Sequence, residues 1–178
     1  FPALSEINKT IRKLNLAAYS PLKYVRMDKR EEYSKKYDQS VKDGQGVFRQ
    51  EDREQSLVHL MRVNLLKRME SSIHSFESTV SRLLESVKSL LDKANQHLEG
   101  EVEELNIIDM DVDSDEYAPY LIGKKVKVLI QDMDLVKWQQ DLNDDRVKLT
   151  HLLRESQIVT VDRDAKLNAL KNLIEHKH

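Results

Sequence analysis

The sequence predicts an all-α domain built on a long antiparallel helical hairpin, coiled-coil-like, with shorter helices packed at its base. Four glycines and three prolines in 178 residues are too few to turn a many-stranded sheet. Apolar residues recur at steps of three and four over long stretches, the period of a helix face rather than of a strand. A composition of 39% hydrophobic and 34% charged residues is enough for one modest core and unlike a disordered tail.

Residues 1–28 form the N-terminal helices of this reading. Leu4, Ile7, Ile11, Leu14 and Ala18 make one apolar stripe over residues 3–18, with Pro2 tolerated in a first turn. Ser20-Pro21 interrupts it, because the residue before a proline is pushed out of the helical region. A short second helical piece follows through Tyr24 and Val25. Residues 29–49 are mostly charged, with Gly44 and Gly46 close together, and read as a loop with some helix in its first half.

The segment 50–99 has no Gly or Pro before Gly100 and carries a heptad repeat. Ile73, Val80, Val87 and Ala94 lie seven apart, and Phe76, Leu83 and Leu90 fall three later, which is the seam of a coiled coil. Leu57, Met61, Leu65 and Met69 extend the stripe upstream. One helix or two nearly collinear helices are expected, about 75 Å long at 1.5 Å per residue. Residues 100–123 are the expected acidic tip: nine acids and no base lie between residues 99 and 116. The return helix, 124–157, carries Trp138, Leu142 and Leu149 and folds back to cover the seam. Ile158–Val161 is a β-branched run, read as an extended link. A final helix over 162–178 opens at Asp162 or Asp164 and aligns Leu167, Leu170, Leu173 and Ile174 on one face.

Composition also bounds the chemistry. With no cysteine there is no disulfide, no thiol nucleophile and no Cys-ligated zinc, and a cytoplasmic location is expected. No apolar run approaches membrane length. The chain opens Phe1-Pro2 without a signal segment, which suggests a piece of something longer. Asp109, Asp111, Asp113 and Asp115 alternate like the start of a calcium loop, but Ser114 and Tyr120 stand where that loop needs Gly and Glu. The six histidines make no H-E-x-x-H and no i, i+4 pair, so no metal site is expected. No phosphate-binding glycine loop is present, and no catalytic residue is assigned.

What remains is basic charge. Residues 1–42 hold ten basic and five acidic residues, with tyrosines interleaved. Lys and Arg with nearby aromatic rings suit phosphate contact and base stacking, although a solvated helix face accounts for the same pattern. Arg62, Lys67 and Arg68 crowd further charge onto the long helix. The candidate nucleic-acid contacts are therefore Arg12, Lys13, Arg26, Arg62, Lys67 and Arg68.

The run L-x-x-L-M-R-x-N-L-L-K-R-M-E-S-S-I-x-S-F, Leu57 to Phe76, resembles the region following the first motor lobe in bacterial superfamily 2 helicases of the Swi/Snf-like type. D-R-D-A-K-L-N-A-L, Asp162 to Leu170, resembles the helix that leads into their second RecA-like lobe. The two anchors stand in the family's order. The resemblance implies a helical inter-lobe region of an ATP-dependent helicase, with Lys67 and Arg68 bracing the lobes or touching the DNA backbone. ATP, magnesium and hydrolysis would belong to the flanking lobes of the parent, because their motifs are absent here. The implied partners are those lobes and nucleic acid, DNA in expectation, and no membrane. The alternative is a stand-alone coiled-coil interaction module that homodimerises through Ile73, Val80 and Val87.

Overall fold

The computed structural model describes residues 2–40, 47–98, 104–106 and 127–176. The fold is all-α. Helix α1 spans Pro2–Arg12, followed by three 3-10 turns at Ala17–Tyr19, Pro21–Tyr24 and Met27–Lys29, and by α2, Arg30–Tyr37. Helices α3 (Gln50–Ser71), α4 (Ile73–Leu98) and α5 (Leu135–His176) make up the frame. Two short antiparallel strand pairs, β1–β2 (Gln39–Ser40 with Val47–Phe48) and β3–β4 (Glu104–Asn106 with Lys127–Leu129), tie loops together.

The core follows the periodicity. Ile7, Ile11 and Leu14 are fully buried, as are Phe76, Val80, Trp138, Leu142, Leu149 and Leu152. Helices α4 and α5 share the most extensive packing in the molecule. Two hydrogen bonds fix their sense. Gln139 donates to Asn95 Oδ1 at 3.2 Å, and Thr160 donates to Glu77 Oε1 at 3.1 Å. The partner number falls as the α5 number rises, so the pair is antiparallel. Each apolar side chain removed from water in that seam stabilises the fold by about 1.5–3 kcal/mol.

Several boundaries differ from the sequence reading, each for a local reason. The heptad helix is broken at Ser72, whose backbone is extended (φ −155°, ψ 108°). Ser72 caps the start of α4: its hydroxyl accepts the Ser75 N–H at 3.3 Å and its carbonyl the Phe76 N–H at 3.0 Å. The two halves are not collinear. Arg68 Nη1 hydrogen-bonds Thr79 Oγ1, eleven residues on, a separation of about 16 Å along an unbroken helix that no arginine spans.

The return helix begins at Leu135, not at 124. Lys127–Leu129 is a strand and Ile130–Asp132 a 3-10 turn, and Asp134 caps the helix by accepting the Lys137 N–H at 3.3 Å. There is no extended link at 158–161 and no separate C-terminal helix. α5 runs unbroken for 42 residues, about 63 Å. Val159 is buried in an unbroken helix, so packing overrides the weak β preference of that run. α1 stops at Arg12, six residues short of the reading, and α2 occupies most of the first part of the expected charged loop.

The placement of the N-terminal segment also differs. Val25 bridges Met133, the Arg26 N–H donates to the Asp132 carbonyl at 2.8 Å, and the Asp134 N–H donates to the Tyr24 carbonyl at 2.7 Å. These contacts lie at the start of α5, the end near the β3–β4 pair, whereas the predicted base is the end holding Lys166–Ile174. The acidic tip, apart from Glu104–Asn106, falls outside the described residues.

Candidate nucleic-acid interface

The N-terminal chain crosses the frame as a strap, residues 13–26, held by carboxylates. Asp145 Oδ1 accepts the Asn15 N–H at 2.7 Å and Oδ2 accepts the Ala17 N–H at 2.9 Å. Between them Leu16 sits in the left-handed region (φ 51°, ψ 45°), an unfavourable place for a residue with a branched side chain. Its own burial and the Asp145 grip hold it there. Trp138 Nε1 donates to the Ala17 carbonyl at 3.2 Å, and the Leu22 N–H donates to Glu54 Oε2 at 3.1 Å. Tyr24 donates to Asp141 Oδ2 and Tyr33 to Asp132 Oδ2, each at 2.6 Å.

Burial sets the proton affinities of this clamp. Glu54 is pushed well above the usual carboxylate range by desolvation, which the Leu22 N–H opposes. Asp145 is raised by desolvation against the pull of three backbone N–H groups, those of Ala17, Asn15 and Leu16. Tyr24 and Tyr33 are raised by burial and by donating to their carboxylate partners. The buried acids are therefore anchors for a backbone, and they carry no separated acid–base pair facing a cleft.

The six expected contact residues do not form one surface. Arg62 is structural: its Nε donates to the Leu14 carbonyl at 2.9 Å, tying α3 to the chain two residues past the end of α1. Arg68 braces the α3–α4 corner through Thr79. Arg26 is exposed and pairs with Asp28 at 3.5 Å. Arg12 and Lys67 are exposed on α1 and α3. Lys13 lies in the larger of two basic concavities, and Arg26 in the other.

The larger concavity was not legible in the sequence. Arg146, Lys148, His151 and Arg154 of α5 face Thr10 of α1 and Lys13, the first residue after it, across a groove of about 520 Å³. Lys148 is engaged: Nζ donates to the Lys13 carbonyl at 3.0 Å and pairs with Asp144. A second concavity of about 440 Å³ holds Lys23, Arg26, Arg30 and Lys137. There Arg30 is tied to the Val25 and Lys23 carbonyls, both at 3.2 Å, and Asp134 is part of the lining.

Among the described residues no group of three or more His, Asp or Glu side chains could hold a metal ion, and no helix is long and apolar enough to cross a membrane. The alternating aspartates Asp109–Asp115 lie outside the described residues. Compared with known protein families, curated proteins and solved structures, the chain matches none.

Proposed function

We propose that this chain is a non-catalytic helical element set between the motor lobes of an ATP-dependent helicase or translocase in the cytoplasm, where it couples the lobes mechanically and helps position nucleic acid. ATP and magnesium would be held by the flanking RecA-like lobes. The observation that carries this reading is the division of α5. From Leu135 to Thr160 it is locked into the frame by α1, α4 and the strap. From Val161 to His176 every residue is exposed.

The exposed part keeps the phase of the buried part. Val159, Arg163, Leu167, Leu170 and Ile174 continue the stripe of Leu142, Leu149 and Leu152 at steps of four, four, three and four. Leu167 is 64% and Ile174 56% exposed. A stiff helix anchored along half its length, with an apolar stripe beyond the anchor, suits a lever that seats against a neighbouring lobe. The stand-alone coiled-coil reading is less well supported, since Ile73, Val80 and Val87 are buried within the chain itself.

Insertion of two glycines after Val161 in the intact motor tests the lever. ATP hydrolysis should persist while translocation per ATP is lost, because glycine in a helix interior breaks stiffness at about 1 kcal/mol per residue. Unchanged translocation would remove the lever from the mechanism.

A further inference from the structure

The α1–α5 groove carries charge that the frame does not use. Among the described residues no carboxylate pairs with Lys13, Arg146 or Arg154, and no acid lies among the groove's lining residues. Arg146 donates through Nε to the neutral side chain of Asn143 at 3.0 Å, which leaves its charge intact. We infer that this groove is a docking surface for the phosphate backbone of a nucleic acid, with Lys13, Arg146 and Arg154 as its phosphate contacts.

The spacing favours a strand of regular anions. Arg146, Thr150 and Arg154 stand four residues apart on one row of α5, so the two guanidinium groups rise about 12 Å apart along the helix. A nucleic-acid strand in a duplex presents a phosphate about every 3.4 Å of axis, and three or four of them fit that length. Arginine suits the task because its planar fork meets phosphate oxygens in pairs and keeps its charge at any working pH. Thr10 and Thr150 contribute no donors, since their hydroxyls donate to the Glu6 and Arg146 carbonyls. A lipid surface is disfavoured: Val147 is the single aliphatic residue in the lining, too little to insert.

The inference rests on the nucleic-acid half of the reading above and not on the lever. Binding of a labelled 20-base-pair duplex to the purified chain, followed by anisotropy from 50 to 200 mM salt, tests it separately from any motor assay. Arg146→Gln with Arg154→Gln should weaken binding about tenfold at the low-salt end and reduce the slope of log K against log salt by about 1.8, from the counterions of two lost contacts. Lys88→Gln, exposed on α4 and outside the groove, should change neither, and circular dichroism of the double variant should match the parent. An unchanged slope and affinity in the folded double variant would overturn the assignment. So would binding to anionic phospholipid vesicles or poly-glutamate that matches or exceeds binding to the duplex.

Discussion

Asp145, in the first third of α5, accepts the backbone N–H of Ala17 at 2.9 Å across 128 positions of sequence, and through this bond the long helix holds the N-terminal strap. The same carboxylate also accepts the Asn15 N–H with its other oxygen. A two-oxygen acceptor is required at this point, and an amide supplies only one. Asp145→Asn turns an N–H donor toward a backbone donor, so it should destabilise the chain by about 2–3 kcal/mol, the penalty for a buried group left unsatisfied. Urea unfolding should show a lower midpoint with an unchanged slope. A midpoint equal to the parent's would mean that the clamp contributes nothing.

Glu54 is the less well compensated of the two buried acids. One N–H faces it, and burial raises its proton affinity in the folded state. Since the folded pKa lies above the unfolded one, the stability this group contributes is full below the ordinary carboxylate range and is lost as pH rises through the folded value. Glu54→Gln keeps an acceptor for Leu22 and removes the titration. The variant should melt with the parent at pH 4 and above it at pH 8, which thermal unfolding at the two pH values reads directly. A variant less stable than the parent at pH 8 would show that the charge is favourable where it sits.

Leu16 sets two effects against each other. Leu16→Gly relieves a left-handed backbone penalty of about 1–2 kcal/mol, but it removes a fully buried leucine, worth about 2–5 kcal/mol on truncation. Packing wins, so the variant should be destabilised by about 1–3 kcal/mol net. Equal or greater stability in denaturant unfolding would mean that strain dominates.

Two leucines on the same stripe of α5 separate frame from lever. Leu142 is fully buried, and Leu142→Ala should cost about 2–5 kcal/mol. Leu170 is 56% exposed, and Leu170→Ala should fall within about 0.5 kcal/mol of the parent. A large loss at Leu170 in the isolated chain would mean that its stripe is already covered.

The frame was legible because it rests on local periodicity. The stripe of Ile7 and Ile11, the seam of Phe76 and Val80 and the covering face of Leu142 and Leu149 all follow from apolar spacing, and all are buried. The corner at Ser72 was not, since a serine that caps a helix reads like any polar residue on a heptad flank. Ile158–Val161 misled because β-branched propensity is weak against the packing of Val159.

The candidate surface was less legible than the fold. Arg62 and Arg68 drew attention as cations, yet each is committed to a backbone or hydroxyl oxygen, partners chosen by a chain reversal that sequence spacing does not encode. Arg146 and Arg154 carry no motif or spacing that sets them apart from other charged residues of a helix. Only the lie of α1 along α5 turns their face of the helix into one wall of a groove. The buried acids escaped notice for the same reason, because the backbone that each one holds is more than thirty residues distant.

The lever depends on α5 being one stiff helix through the β-branched run. Spin labels at Lys137 and Lys171, both exposed, bracket that run at a separation of 34 residues, about 51 Å on a continuous helix. Pulsed electron–electron dipolar spectroscopy on the purified chain should give one narrow distance distribution near that value. A broad distribution, or a maximum below about 40 Å, would place a break between the frame and the exposed stripe and contradict the lever.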